Sequence, residues 1–152
     1  MGDPAQRAWR NARAFGVHGL SVRALAIVAF AASAAAGAAA PLGDPKAGEA
    51  IYSRCLACHA LAYDRTGPRH CGLLGRTAGS VKGFAYSEAM KRSKLVWNDR
   101  TLDRFLADPL KTVPGTAMGY AGVKDPKERA DLIAYLKRAG DSAECRAAHL
   151  TR

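Results

Sequence analysis

One short run in this chain dictates a specific chemistry: Cys55-Leu56-Ala57-Cys58-His59. The two intervening residues bring both thiols to one side of a single helical turn, and an imidazole follows directly. A Cys-x-x-Cys-His run is typical of covalent c-type haem attachment, in which each sulfur bonds one vinyl group and the histidine binds the iron. We therefore expect a chain that folds around a large, flat, apolar group.

Paired cysteines have two other common roles. A thioredoxin-like redox pair requires a βαβ setting, and this sequence contains no convincing strand alternation. A zinc site requires two further ligands at metal spacing, but the candidates downstream, Cys71, Cys145, His70 and His149, are scattered. The pattern favours haem.

The N-terminus has the composition of an export signal. Residues 1–23 carry four arginines and one acid, and residues 24–40 are uncharged, mostly alanine, and end in three alanines. This pattern predicts a signal peptide over residues 1–40 and a mature domain over residues 41–152. The alternative is an uncleaved membrane anchor, for which seventeen uncharged residues are the lower limit. Export predicts a periplasmic protein and permits disulfides.

The charge of the chain points to acidic partners. The full sequence has a formal charge of +10, and removal of residues 1–40 leaves about +7. Such an excess attracts acidic proteins, lipid headgroups or nucleic acid. We expect no nucleic acid in an exported setting. The alternative is that scattered cations serve only solubility.

The sequence predicts an all-α domain of about four helices with long glycine-rich loops. An acid, amide or hydroxyl side chain, followed in two cases by proline, stands at each helix start. The predicted helices run from Asp44 towards Cys58, from Ser87 through Lys91, from Asn98 or Asp99 to Asp108, and from Asp125 to about Ala139, with Gly140 as the C-cap. A core this small would gain its missing apolar mass from a bound haem.

Four side chains of the mature chain are candidates for the second axial ligand of the iron. Met118 lies in the turn-forming loop 113–118, which can cross the open face of the ring. Met90 has the helical spacing of a core residue, and His149 lies beside the C-terminus. His70 lies close to the haem motif in the sequence, which favours a position on the proximal side of the haem over a role as the second ligand.

A series of motifs follows the haem run in a fixed order. They are Thr66-Gly67-Pro68, Gly72-Leu73-Leu74-Gly75-Arg76, Gly83-Phe84-Ala85-Tyr86-Ser87, Val96-Trp97, Pro114-Gly115-Thr116-Ala117-Met118 and Asp131-Leu132-Ile133-Ala134-Tyr135-Leu136. With these motifs the chain resembles class I cytochromes c, of the mitochondrial and bacterial c2 type, over residues 43–140. The resemblance implies the cytochrome c fold: long loops wrapped around one covalent haem c.

The resemblance also implies roles for individual residues. His59 would be the proximal and Met118 the distal iron ligand, and Thr116 would support the distal loop. The Pro68 carbonyl would accept the His59 ring N–H, which fixes the tautomer and basicity of the ligand. Arg76, Tyr86 and Trp97 would bind or neutralise the haem propionates, whose burial is otherwise costly. Gly48 and Tyr52 would pack against Tyr135.

The sequence departs from the family pattern at several positions. Phe105 stands where mitochondrial members usually have tyrosine, Tyr120 where they have phenylalanine, and His70 where a leucine usually packs. Among the lysines that usually surround the haem edge, only three have basic counterparts here: Arg54, Lys111 and Lys124. The electrostatic field by which these three residues guide partner docking should therefore be weaker than in those members, or differently shaped.

The resemblance implies a monomeric electron carrier and not an enzyme. Ligation by histidine and methionine fills both axial positions and raises the reduction potential. Expected partners are a quinol:cytochrome c oxidoreductase, a terminal oxidase or reductase, a periplasmic dehydrogenase or a photosynthetic reaction centre. The alternative is a small haem peroxidase or gas-binding protein, which would need an open iron site and a distal acid–base residue.

Two cysteines remain after haem attachment, Cys71 and Cys145. An even pair in an oxidising compartment favours a disulfide. In the family fold the last helix crosses the first near Cys71, so a tail that folds back beyond Gly140 could reach it. The alternative is two unpaired thiols, one of them in a frayed tail.

Overall fold

Helices separated by long irregular loops make up residues 43–150, the part of the chain that this computed structural model describes, apart from the His149 side chain. The predicted signal peptide lies outside those residues. The elements are α1 (Pro45–Tyr52), a 3₁₀ turn (Ser53–Cys55), α2 (Glu88–Arg92), α3 (Asp99–Ala107), α4 (Pro109–Thr112), α5 (Pro126–Gly140) and α6 (Ala143–Leu150). The described residues form no strand, and their one β-bridge joins Thr77 to Val96.

The predicted helix starts are confirmed by their caps. The carboxylates of Asp44 and Asp125 accept backbone N–H groups of the first turns of α1 and α5, and each is followed by proline. The Ser87 hydroxyl caps α2 in the same way. Asn98 and Thr101 form a reciprocal capping box at the start of α3. These side chains satisfy amides that have no partner within their own helix.

The first and the last of the predicted helices, α1 and α5, cross in close contact, as the resemblance implies. A Cβ built on Gly48 would lie 2.8 Å from Cβ of Tyr135 and would overlap the backbone carbonyl of Asp131. The Tyr52 and Tyr135 rings pack with centroids 5.0 Å apart. The Asp44 N–H also donates to the Asp131 carboxylate, over 2.6 Å. Because α1 leads into the haem motif, this crossing fixes one wall of the site.

The second half of the fold requires three corrections to the sequence prediction. Asp108-Pro109 ends α3 as predicted, but Asp108 also caps the additional short helix α4. Helix α5 includes Gly140 and is capped at Asp141, so Gly140 is not its C-cap. Beyond it, where the sequence predicts a tail without a helix, the chain forms α6. The sequence predicts about four helices, whereas the described residues form six α-helices.

The buried side chains of α3 and α5 belong to one hydrophobic core. Leu102, Phe105 and Leu106 recur at helical spacing on the buried face of α3, and Phe105 packs against Trp97 with ring centroids 5.1 Å apart. Within residues 43–150, no helix has the length and hydropathy needed to cross a bilayer.

Candidate functional site

The cysteine–histidine run makes one tight turn directly after α1. The Cys58 and His59 N–H groups both donate to the Cys55 carbonyl, at 3.1 and 2.9 Å. Neither Cys55 nor Cys58 is in a disulfide; Cys55 is partly buried and Cys58 exposed. Burial raises the pKa of the Cys55 thiol. Two free thiols and an imidazole thus lie within a single turn, as the spacing predicts.

The His59 ring is held by backbone on its Nδ1 side. Its Nδ1 donates to the Pro68 carbonyl oxygen at 2.7 Å, the contact that the resemblance implies. Gly67 gives the ring its space, since a Cβ there would lie 2.6 Å from both ring nitrogens. Burial lowers the pKa of His59, and the bond to Pro68 opposes that shift. With Nδ1 as the donor, the neutral ring keeps its lone pair on Nε2, the nitrogen suited to a metal.

His70 lies beside His59 on the proximal side. The two imidazoles stack with centroids 4.3 Å apart and an angle of 22° between their planes. A 3.0 Å hydrogen bond joins Nδ1 of His70 to the Tyr52 hydroxyl oxygen. Burial, followed by the proximity of His59 and Arg76, lowers the pKa of His70 well below its ordinary value. Burial also raises the pKa of Tyr52.

A cavity of about 530 Å³ lies between these residues, α3, α5 and the loop after α4. Its walls combine apolar side chains with a few polar groups, as is usual for cofactor sites. All nine residues that the haem motif and the resemblance assign to haem binding line it: Cys55, Cys58, His59, Pro68, Arg76, Tyr86, Trp97, Thr116 and Met118.

The predicted propionate residues lie on neighbouring segments of this wall. The backbone N–H of Trp97 donates to the backbone carbonyl oxygen of Arg76 at 2.9 Å, which aligns the two segments. The Arg76 guanidinium donates to the carbonyl oxygens of Cys71 and Arg69, at 3.0 and 2.9 Å. Tyr86 packs edge-on against Phe84, and burial raises its pKa while Arg76 opposes the shift.

Met118 lies in the loop that follows α4. Pro114 and Gly115, whose φ is +88°, turn the chain towards the cavity. The Thr116 hydroxyl is nearly buried and accepts the Met118 N–H at 3.3 Å. The Thr116 side chain therefore contacts the backbone of this loop at Met118.

The other ligand candidates are placed differently. Met90 is 7% exposed and belongs to the core, although it also touches the cavity. His70 is on the proximal side, as expected from its position near the haem motif. The His149 side chain lies outside the described part of the chain.

The structure joins Cys71 to Cys145 by a disulfide, with Cα atoms 5.1 Å apart and 74 residues of separation. Both residues are fully buried, at 1% and 0% exposure. Cys145 lies in α6, so the bond attaches that helix beside the loop that carries His70. The sequence showed the cysteine pair, but the only local signal for the helix was Ser142, whose hydroxyl accepts the Cys145 backbone N–H at the start of α6.

The three predicted docking residues have different surroundings. Arg54 lines the cavity and forms a two-pronged ion pair with Glu128, at 2.8 and 2.9 Å. Lys124 donates to the Ala107 carbonyl at 2.8 Å. Lys111 is exposed, and no carboxylate of residues 43–150 lies within ion-pair distance of its ammonium group. Neither lysine lines the cavity.

Thiols at Cys-x-x-Cys spacing, a following histidine with one ring nitrogen fixed, and a large apolar cavity define a c-type haem protein. The chain belongs to the cytochrome c family, whose sequence model, described as Cytochrome c, matches residues 45–140. Members of this family are electron-transfer proteins and not enzymes. The protein accordingly has the cytochrome c fold and carries one covalently attached haem c with its iron.

Individual relatives agree with this assignment. The chain is 46% identical over 106 residues to a cytochrome c of Chlamydomonas reinhardtii, across 67% of this chain and 95% of that protein. It is 45% identical over 97 residues to a cytochrome c2 of Rhodomicrobium vannielii, across 62% and 78%. It also matches the solved structure of cytochrome cH from Methylobacterium extorquens, with a TM-score of 0.62, 45% identity and coverage of 63% and 99%.

The residues present fit a haem of this type. The cavity is large, its wall is mainly apolar, and both thiols are unpaired at its edge. Sequence reasoning missed two features of the site. Gly67 provides room for the His59 ring, and His70 stacks on that ring. The one signal in the sequence for the stacking of His70 was that histidine stands at position 70, where the family usually has leucine.

Proposed function

We propose that this protein is a soluble, exported carrier of single electrons whose haem is attached at Cys55 and Cys58 and ligated by His59 and Met118. The observation that carries the proposal is the shared cavity, whose wall includes both thiols, the proximal imidazole and the Met118 thioether. The iron of a bound haem supplies one-electron oxidation and reduction, and a histidine–methionine pair raises its potential.

The protein's own groups hold the reactive centre in place. The thiols of Cys55 and Cys58 tether the ring covalently. The Nδ1–H bond to Pro68 directs the Nε2 lone pair of His59 towards the cavity and increases its basicity. The Thr116 hydroxyl steadies the backbone of Met118. Little rearrangement should therefore accompany electron exchange.

The apolar wall has two further effects. Leu102, Phe105 and Leu132 line the cavity and exclude water from it. A low local dielectric penalises the more highly charged oxidised centre, which also favours a high potential. No side chain between Val113 and Tyr120 carries an acid–base group, so the distal loop offers nothing for peroxide chemistry.

Electrostatics would guide the carrier to its partners. We propose acidic docking faces on a quinol:cytochrome c oxidoreductase as donor and on a terminal oxidase, reductase or periplasmic dehydrogenase as acceptor or donor. Arg54, Lys111 and Lys124 would contact these faces, which raises the association rate more than the affinity. We place this exchange in the periplasm because of the leader composition of residues 1–40.

The absorption spectrum of the oxidised holoprotein tests the ligand assignment. We expect a low-spin ferric spectrum with the weak long-wavelength band of a thioether–iron bond. Met118→Ala should abolish this band and lower the reduction potential, because the thioether stabilises ferrous iron. Met90→Ala is the matched control, since Met90 is a buried methionine at the same cavity. Loss of the band in the Met90 variant but not in the Met118 variant would overturn the assignment.

A further inference from the structure

The proximal histidine has a flat neighbour that the family pattern does not supply. His70 stacks on His59 at 4.3 Å between ring centroids, and the planes differ by 22°. The position is one where the resemblance expects leucine. A leucine fills volume, but it cannot present a planar face to an imidazole.

His70 is itself fixed from two directions. Its backbone N–H donates to the carbonyl oxygens of Ala60 and Leu61, both at 3.1 Å. Its Nδ1 is hydrogen-bonded to the Tyr52 hydroxyl oxygen at 3.0 Å. Tyr52 is 3% exposed and packs on Tyr135 across the α1–α5 crossing. The imidazole of His70 therefore has a defined position and plane.

The other contacts of the His59 ring do not prevent its rotation about the bond from Nε2 to a metal. The Pro68 carbonyl holds Nδ1 at the ring edge, and Gly67 provides space beside the ring. An imidazole bound through Nε2 can still turn about the metal–nitrogen axis, within the freedom of one hydrogen bond. A stacked ring opposes this turn, because the turn separates the two faces.

We propose that His70, anchored by Tyr52, is a positioning residue that fixes the plane of the His59 ring at the haem. The proposal deepens the proposed function, because it rests on ligation of the iron by His59. It assigns His70 no contact with a substrate and no proton transfer. Its consequence is electronic: the plane of an axial imidazole sets how unpaired spin is distributed over the ferric haem.

Proton NMR of the oxidised holoprotein measures that distribution through the chemical shifts of the four haem methyl groups. The variants are His70→Leu, Tyr52→Phe and the double replacement. We expect His70→Leu to change the spread of the methyl shifts and Tyr52→Phe to change it in the same direction by less. The double variant should match His70→Leu, because the two side chains act as one unit.

Tyr63→Phe is the matched control: it removes the same hydroxyl from a side chain that is 62% exposed, and its methyl shifts should equal those of wild type. Unchanged shifts in His70→Leu, with or without lowered stability, would overturn the proposal. If that variant does not fold, unchanged shifts in Tyr52→Phe would overturn it. A high-spin ferric spectrum of the wild-type holoprotein would instead refute ligation by Met118, and with it the proposed function, whereas the haem methyl shifts test the placement of the His59 ring, so the two failures are distinguishable.

Discussion

Gly48 of α1 lies against Tyr135 of α5 so closely that a Cβ on the glycine would stand 2.8 Å from Cβ of the tyrosine. The same Cβ would overlap the Asp131 carbonyl, which is backbone and cannot rotate away. The absence of a side chain at position 48 therefore sets the distance between the two helices.

Gly48→Ala should lower the free energy of unfolding of the holoprotein by about 1–3 kcal/mol, the usual cost of overpacking. Chemical denaturation followed by circular dichroism measures this difference. Gly140→Ala is the control on the partner helix, because nothing lies within 4 Å of its added Cβ. It should be neutral or stabilising by up to about 1 kcal/mol. Equal effects of the two changes would contradict a role for the close crossing.

Covalent attachment predicts that the haem survives extraction. Protein purified from an exporting host should keep its colour in the precipitate after treatment with acidified acetone. Replacement of either Cys55 or Cys58 by alanine should leave one thioether, and replacement of both should release the haem into the solvent. Complete extraction from the wild-type protein would show that the thiols form no bonds to the ring.

The pH dependence of stability should include a contribution from Asp131. The Lys127 ammonium group, followed by the Asp44 N–H, lowers the pKa of this carboxyl. A lowered folded-state pKa means that the stabilisation is complete at neutral pH and is lost as the pH falls through the folded-state value.

Asp131→Asn should therefore lower the urea midpoint at pH 7, and the difference from wild type should shrink below about pH 4. Asp99→Asn is the comparison, because it removes an ion pair with Lys137 in which both side chains are at least half exposed. Its midpoint should change little at either pH. If the difference in urea midpoint between wild type and Asp131→Asn grew on acidification, it would contradict a lowered folded-state pKa for Asp131.

Loss of the Cys71–Cys145 bond should destabilise the protein by about 4 kcal/mol in the chain-entropy model, because the residues are 74 apart. The Cys71→Ala/Cys145→Ala variant measures this loss in chemical denaturation. Thiol titration of the denatured, unreduced holoprotein should find none, and two after reduction. Two reactive thiols before reduction would refute the bond.

Charge reversal at the docking residues should slow oxidation by an acidic partner at low ionic strength. Lys111→Glu/Lys124→Glu is the informative pair, and the defect should shrink as salt is added, since exposed charges are screened. Lys46→Glu/Arg100→Glu carries the same change of charge at two other exposed positions. Equal slowing in both variants would indicate a general effect of net charge.

Arg54 allows a separate test because Glu128 neutralises it in the free protein. Glu128→Gln should release the guanidinium and speed the reaction at low salt. Stopped-flow kinetics at several ionic strengths measures both effects, and a rate below that of wild type would exclude Arg54 from docking.

Local signals predicted most of the fold and of the cavity wall. Asp44, Ser87, Asn98 and Asp125 mark helix starts because a cap acts within a few residues of itself. Helix α6 was missed although Ser142 caps it by accepting the Cys145 N–H at 3.2 Å, because a lone serine before eight residues of weak amphipathicity is a weak signal and the position of the helix depends on the partner of Cys145. The stacking of His70 on His59 was also missed, since ring geometry arises from packing between segments.

The disulfide has a consequence for the order in which the protein is assembled. Four cysteines in one chain allow three complete pairings. Haem attachment removes Cys55 and Cys58 from that set, after which the mature chain offers one partner for Cys71. Covalent attachment of the haem before disulfide formation thus prevents the pairings that would include Cys55 or Cys58. A host that oxidises the chain before it loads haem should accumulate mispaired, colourless protein.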